Sequence, residues 1–130
     1  MASLFTKIIE GKVPSYTVGE TEHSYAFLDI NPLHQGHVLV VPKKEVDYLF
    51  DLPEADYQEL WTFAKKVAAA IGKAIPCKRV GLAVIGLEVP HAHIHLIPIN
   101  NVSDIDFSRP KLSFSEDEMK EIATKIKAQL

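Results

Sequence analysis

His91-Ala92-His93-Ile94-His95-Leu96-Ile97-Pro98 alternates imidazoles with apolar side chains. Neighbouring side chains of an extended chain point to opposite faces, so the spacing predicts a β-strand from Val89 to Ile97. One face then carries three imidazoles, and the other carries Ala92, Ile94 and Leu96. The apolar face reads as core. Stacked imidazoles are poor packing material, so their face reads as chemistry. Two tasks suit it. Neutral imidazoles are good zinc ligands. Alternatively, one imidazole attacks phosphorus, an acceptor holds its second ring nitrogen, and its neighbours donate hydrogen bonds to the phosphate oxygens as charge builds.

The elements around this strand follow from periodicity. Val80 to Ile85 reads as a preceding strand. Before it, Leu60, Phe63, Val67, Ala70, Ile71 and Ala74 recur every three or four positions, the spacing of a buried helical stripe. Pro53 suits the first position of that helix and Pro76 stops it. His37 to Pro42 is a nearly continuous apolar run, as in a strand covered on both faces. Ser24 to Ile30 is another strand, with Tyr25, Phe27 and Asp29 on one face, and Tyr16 to Glu20 is a short one. Leu4, Phe5, Ile8 and Ile9 have helical spacing, and Gly11 ends that helix. Ser115 and Glu118 form a capping box ahead of the stripe Met119, Ile122, Ala123, Ile126 and Leu130. The strands are joined by links with no helical crossover between adjacent pairs, which implies an antiparallel five-stranded sheet. The predicted fold class is α+β, with a long central helix and short terminal helices, in one domain spanning 1–130.

Composition narrows the function classes. The formal net charge is −3 and no basic run occurs, which argues against a nucleic-acid partner. One cysteine, Cys77, allows neither an internal disulfide nor a Cys-x-x-Cys zinc site. No apolar run approaches the ~18 residues of a membrane span, and no targeting signal is evident, so a cytoplasmic location is expected.

A second segment bears on the choice between zinc and phosphate. Ala26-Phe27-Leu28-Asp29-Ile30-Asn31-Pro32 precedes Gln35-Gly36-His37-Val38. A carboxylate at a strand end, Asp29, can accept hydrogen bonds from ribose hydroxyls. Phe27 and Ile30 could sandwich a base with Leu4, Phe5 and Ile8, although spacing alone equally suits Phe5, Ile8 and Phe27 for the core.

Taken together, these segments resemble the histidine-triad (HIT) superfamily. Its signature is three histidines separated by single apolar residues and followed by two more apolar positions, which His91 to Ile97 fill completely. Phe5 to Pro14 resembles the family's N-terminal helix, and Gly36 to Lys43 its strand motif. The resemblance implies a HIT-like fold that pairs as a homodimer through the 53–74 helix and a strand, with Trp61 or Phe63 toward the partner. It implies that His93 is the nucleophile of a covalent nucleotidyl-histidine intermediate, that His95 and His37 contact the phosphate, and that His91 orients the central ring. Asp29 would hold the ribose with Asn31 beside it, and Leu4, Phe5, Ile8, Phe27 and Ile30 would line the base pocket. The implied substrates are purine nucleotides and their conjugates: nucleoside phosphoramidates, adenylated amines and dinucleoside polyphosphates. No metal and no cofactor are implied.

The loop from Val80 to Pro90 is shorter than the family's. Leu87 and Glu88 stand where Gln and Ser or Thr are usual. Glu88 becomes the candidate leaving-group contact: a general acid if burial raises its pKa, or a charge that repels anionic leaving groups and favours amines. Arg109, Lys43 or the C-terminal helix are candidates to replace missing contacts. Hydrolysis is the leading reading. A nucleotide-binding module with little turnover comes second, and a metal-binding protein using His91, His93 and His95 third.

Overall fold

The computed structural model describes residues 2–130. The elements run α1 (Leu4–Ile9), β1 (Thr17–Glu20), β2 (Ser24–Leu28), β3 (Val38–Pro42), α2 (Glu54–Ala74), β4 (Arg79–Ala83), β5 (Ile94–Ile99) and α3 (Glu116–Lys127), with short 3₁₀ turns at Leu49–Asp51 and Val102–Ile105. All five strands form one antiparallel sheet, ordered β1-β2-β3-β5-β4. This is the α+β architecture expected.

The sheet is covered on both sides, which explains the continuous burial of β2 and β3. Ala26, Leu28, Val38, Val40, Ile94 and Leu96 pack against α2 and α3 in the main core. The opposite face carries Tyr25, Phe27, Leu39 and Val41, and packs against Phe5 and Ile8 of α1. Register places Phe27 opposite Leu39, and Leu39 opposite His95. The histidines therefore lie on the thinly covered face, beneath one short helix.

Local chemistry accounts for the ends of the elements. The Ser3 side chain accepts the Thr6 N–H at the start of α1, and Ser115 and Glu118 close a reciprocal capping box on α3. Pro53 is the N-cap of α2 rather than its first helical residue. β2 stops at Leu28 because the Asp29 carboxylate turns onto the Asn31 N–H at 2.8 Å. Gly36 has φ of +87°, and a Cβ there would sit 2.8 Å from Ile75, so only glycine fits the turn that delivers His37.

The bounds of two strands and the placement of two side chains also differ from expectation. β4 runs from Arg79 to Ala83 rather than Val80 to Ile85, and β5 begins at Ile94 rather than Val89. The ladder is lost before Ile94 because the Ala92 N–H donates to the Val46 carbonyl at 2.7 Å and the His91 N–H to Val89 at 2.8 Å. Phe63, one of two residues expected to face a partner, lies in the core at 6% exposure. Leu130, expected on the apolar stripe of α3, is 50% exposed, whereas Met119, Ile122, Ala123 and Ile126 are buried.

Candidate active site

The hydrogen bonds around the histidines determine where each proton sits, because carbonyls only accept and amides only donate. The Leu33 N–H donates to His37 Nδ1 at 3.0 Å, so the neutral His37 ring carries its proton on Nε2. That proton is shared with His95 Nδ1 at 3.0 Å. His95 must then carry its own proton on Nε2, as a free donor. His93 Nδ1–H donates to the His91 carbonyl at 2.7 Å, which leaves the lone pair on His93 Nε2. His91 Nε2–H donates to the Pro42 carbonyl at 2.7 Å, and its Nδ1 accepts from Ser3 Oγ at 2.8 Å. One ring thus offers a lone pair and its neighbour offers a donor, with ring centroids 5.0 Å apart.

Burial keeps His37, His91 and His95 neutral. Desolvation, reinforced by the charge of His95, pushes the His37 pKa down to about 3. Desolvation and the neighbouring His93 lower His95 to about 4. His91 is also lowered, chiefly by burial, with its bond to Pro42 and the nearby Glu45 opposing. Asp29 moves the other way: burial raises its pKa against the lowering effect of the Asn31 N–H.

A cavity of about 240 Å³ opens beside His93 and His95. Leu4, Phe5, Ile8, Phe27, Asp29, Ile30, Asn31 and Glu88 all line it. Phe5, Ile8 and Phe27 are both core and wall: each is under 9% exposed, and the Phe5 and Phe27 rings meet edge to face at 5.5 Å. Leu4 and Ile30 are 48% and 66% exposed and offer free apolar surface at its rim. His37 and His91 are not in its wall. His37 stands behind His95, with Nε2 3.6 Å from Asp29 Oδ2, and both His91 ring nitrogens are spent on Ser3 and Pro42.

Metal ligation does not suit this arrangement. His91 has no free ring nitrogen facing His93 and His95. The group Asp29, His37 and His95 has ligand atoms within 4.8 Å of one another. For His37 Nε2 to bind a metal, however, Nδ1 would have to carry the proton, and the Leu33 N–H already occupies that position.

The tail after β5 contributes a residue that no sequence pattern marked. The Phe107 ring lies 4.8 Å from His95 and 6.3 Å from His37, edge to face with both. Lys111 Nζ sits 5.8 Å from the Phe107 centroid. The two cations considered from sequence are engaged elsewhere: Lys43 pairs with Glu20 at 2.7 Å, and Arg109 bonds the Ser103 carbonyl at 2.8 Å and Asp104 at 3.4 Å. Phe107 shields the His37–His95 pair from water. Phe107→Ala is expected to rehydrate the pair, raise both pKa values and move the acid limb of any pH–rate profile up by about one pH unit. An unmoved limb would show that the shielding comes from the sheet alone.

A model of the HIT domain matches residues 10–102. The chain belongs to the HIT family. Among its relatives, the adenosine 5′-monophosphoramidase of Schizosaccharomyces pombe is 33% identical over 133 residues, covering 98% of this chain and 100% of the relative. That of Saccharomyces cerevisiae is 38% identical over 102 residues, 75% of this chain and 62% of the relative. A Hit-like protein of Bartonella henselae superposes with a TM-score of 0.85 at 28% identity, covering 98% of this chain and 96% of that one. The HIT match ends at residue 102, so Phe107 lies outside it. Within the HIT segment, Leu87 is 88% exposed and Glu88 is exposed at the cavity edge. The burial that a general acid at Glu88 would need is therefore absent.

Proposed function

We propose that this chain hydrolyses a purine nucleoside phosphoramidate, or a related nucleotide conjugate, at the α-phosphate through a nucleotidyl-His93 intermediate. The observation that carries the reading is the His93 tautomer: Nδ1–H is bound to the His91 carbonyl, so Nε2 holds a lone pair at the wall of an open cavity of about 240 Å³. The base would lie between Leu4, Phe5 and Ile8 on one side and Phe27 and Ile30 on the other. Asp29, with one oxygen fixed by the Asn31 N–H, would accept the ribose hydroxyls.

In the first step His93 Nε2 bonds to phosphorus as the bond from phosphorus to the amine breaks. The amine leaves with a proton from solvent, at the open edge beside Glu88. The phosphoryl-imidazole keeps its Nδ1 proton on the His91 carbonyl. His95 Nε2–H donates to a phosphate oxygen, and the His37 proton on His95 Nδ1 prevents that donor from changing tautomer. Water then attacks phosphorus and gives one proton to solvent as the bond to Nε2 breaks, so AMP departs and His93 is left neutral with its proton on Nδ1. The Glu88 carboxylate favours a neutral or cationic amine over an anionic leaving group. The activities of the yeast relatives support this choice of substrate class.

Incubation with adenosine 5′-phosphoramidate tests the reading. AMP release, with an adenylyl adduct on the peptide containing His93 after acid-free quenching, is the expected result. AMP binding without release would support the second reading, a binding module whose altered Leu87-Glu88 segment has cost it the chemistry.

The same reading includes a homodimer. β4 is an edge strand with Leu82 exposed, and Val84 and Ile85 follow it exposed. Tyr48, Phe50, Tyr57 and Trp61 form an aromatic cluster alongside, and Trp61 Nε1 is buried with no hydrogen-bond partner among the described residues. Apolar surface of this extent beside an open edge suits a second copy. Val84→Lys is expected to yield monomers in sedimentation; a wild type that sediments as a monomer would remove the dimer.

No helix among the described residues is long and apolar enough to cross a membrane. A cytoplasmic location remains part of the proposal.

A further inference from the structure

The proposed chemistry depends on a His93 ring held in one tautomer, and the holding group is a backbone carbonyl. That carbonyl belongs to His91, which precedes β5, and its peptide plane is held from one edge by the Ala92 N–H on the Val46 carbonyl at 2.7 Å. The second hold is the His91 side chain, which is fully buried and tied at both ring nitrogens. One tie is the Pro42 carbonyl at the end of β3. The other is a polar cluster reaching outward. Ser3 Oγ lies 2.8 Å from His91 Nδ1 and Thr6 Oγ1 lies 3.4 Å from it. Both residues are held by one carboxylate: Glu45 Oε1 accepts the Ser3 N–H at 2.5 Å and the Thr6 hydroxyl at 2.6 Å.

We infer that Glu45 is a positioning residue for His93, acting through Ser3, Thr6 and His91. The inference rests on the hydrolase reading for its kinetic consequence, but the geometry it concerns exists without substrate. The Thr6 hydroxyl has one proton and gives it to Glu45. The Ser3 hydroxyl is aimed in turn, since its oxygen accepts the Thr6 N–H at 3.0 Å and its proton is left for His91 Nδ1. The chain from Glu45 through Thr6 and Ser3 to His91 and His93 therefore pairs each donor with an acceptor: Thr6 donates its hydroxyl to Glu45 and its N–H to Ser3, Ser3 donates to His91 Nδ1, and His93 Nδ1–H donates to the His91 carbonyl. Its terminus stays an acceptor across the working pH range, because the bonds from Thr6 and Ser3 hold the Glu45 pKa at about 2. Glu45 is exposed, yet it makes no salt bridge among the described residues. Its bonds go instead to the N-cap of a six-residue helix. A helix that short has little stability of its own, so this anchor also matters for α1, which supplies Phe5 and Ile8 to the cavity.

A structural role in α1 alone would loosen the cavity and raise KM. A positioning role lowers kcat and changes the imidazole. Both are read on Glu45→Ala, with ¹⁵N ring shifts of the histidines measured alongside turnover of adenosine 5′-phosphoramidate. The expected result is a kcat lower by about tenfold to a hundredfold with KM within about threefold, since small misplacements of reacting groups have effects of that size. His93 should pass from one tautomer, protonated at Nδ1, to an average of two. Glu45→Gln keeps an oxygen that accepts both bonds and should recover most of the loss in both readouts. Should Glu45→Ala fail to fold, Thr6→Val removes the hydroxyl link alone and should show a smaller shift of the same kind. Unchanged kcat and His93 shifts in Glu45→Ala, or a rise in KM alone, would overturn the inference. If the wild type releases no AMP, the ring shifts still decide the role of Glu45, and the failure counts against the hydrolase reading only.

Discussion

His93→Ala is expected to abolish AMP release from adenosine 5′-phosphoramidate, with a loss of about 10⁴-fold or more, while AMP binds within about fivefold of wild type. The asymmetry follows from what the ring does in each state. In the ground state it is a modest part of the cavity wall, in edge contact with Phe5 at 5.0 Å. Leu4, Phe5, Ile8, Phe27 and Ile30 stay in the cavity wall when the ring is removed. In the proposed reaction it supplies the bonding electron pair, and neither neighbouring ring has a free lone pair to take its place. His95 Nδ1 is occupied by the His37 proton and its Nε2 is protonated. His91 is buried with both nitrogens engaged. Calorimetric AMP titration beside a coupled turnover assay checks both halves. Turnover within tenfold of wild type would remove His93 as the nucleophile.

Acid should destabilise this fold well before its carboxylates titrate. The unfolded chain takes up protons on His37 and His95 near pH 6.5, but the folded chain does so only near 3 and 4. Between those limits the unfolded state binds more protons, so stability must fall as pH falls. Above pH 6.5 the two groups contribute no pH dependence. Each neutral buried ring gives a slope of up to about 1.4 kcal/mol per pH unit, so the pair removes roughly 3–4 kcal/mol by pH 5. That is a large share of the ~5–15 kcal/mol of an ordinary domain. Asp29, with its raised pKa, works in the opposite sense, and Glu45, with its lowered pKa, adds a loss below 4.5, but both act in the carboxylate range. Urea unfolding at pH 8, 6.5 and 5 isolates the histidines. A flat profile from 6.5 to 5 would show that the pair accepts a proton in the folded state.

The two predictions meet at the same residues. The buried His37–His95 pair, which presents one free donor beside the His93 lone pair, is also what makes the fold acid-sensitive. Glu88 lies on the other side of this balance. It is exposed and borders the cavity without being buried in it, and in the proposed reaction its charge faces the leaving group.

The sheet, the three helices and the residues that came to line one cavity were readable from periodicity and resemblance, because amphipathic spacing reports which face of an element is covered. Leu60, Phe63 and Val67 announce a buried helical stripe wherever the chain ends lie. The alternation from His91 to Leu96 likewise separated core from chemistry. Alternation does not locate the start of β5, because Pro90 and the two turn bonds before Ile94 are local events without a period.

What the sequence alone determined is the inventory: one histidine face, one carboxylate at a strand end, and apolar walls at helical and strand spacing. Only the tertiary structure decided the proton positions, because these depend on the Leu33 amide and the carbonyls of His91 and Pro42, backbone groups that every residue carries and no sequence distinguishes. It alone brought Glu45 to Ser3 across 42 residues and set Phe107 over His95, since an irregular loop and tail have no period from which a contact can be read.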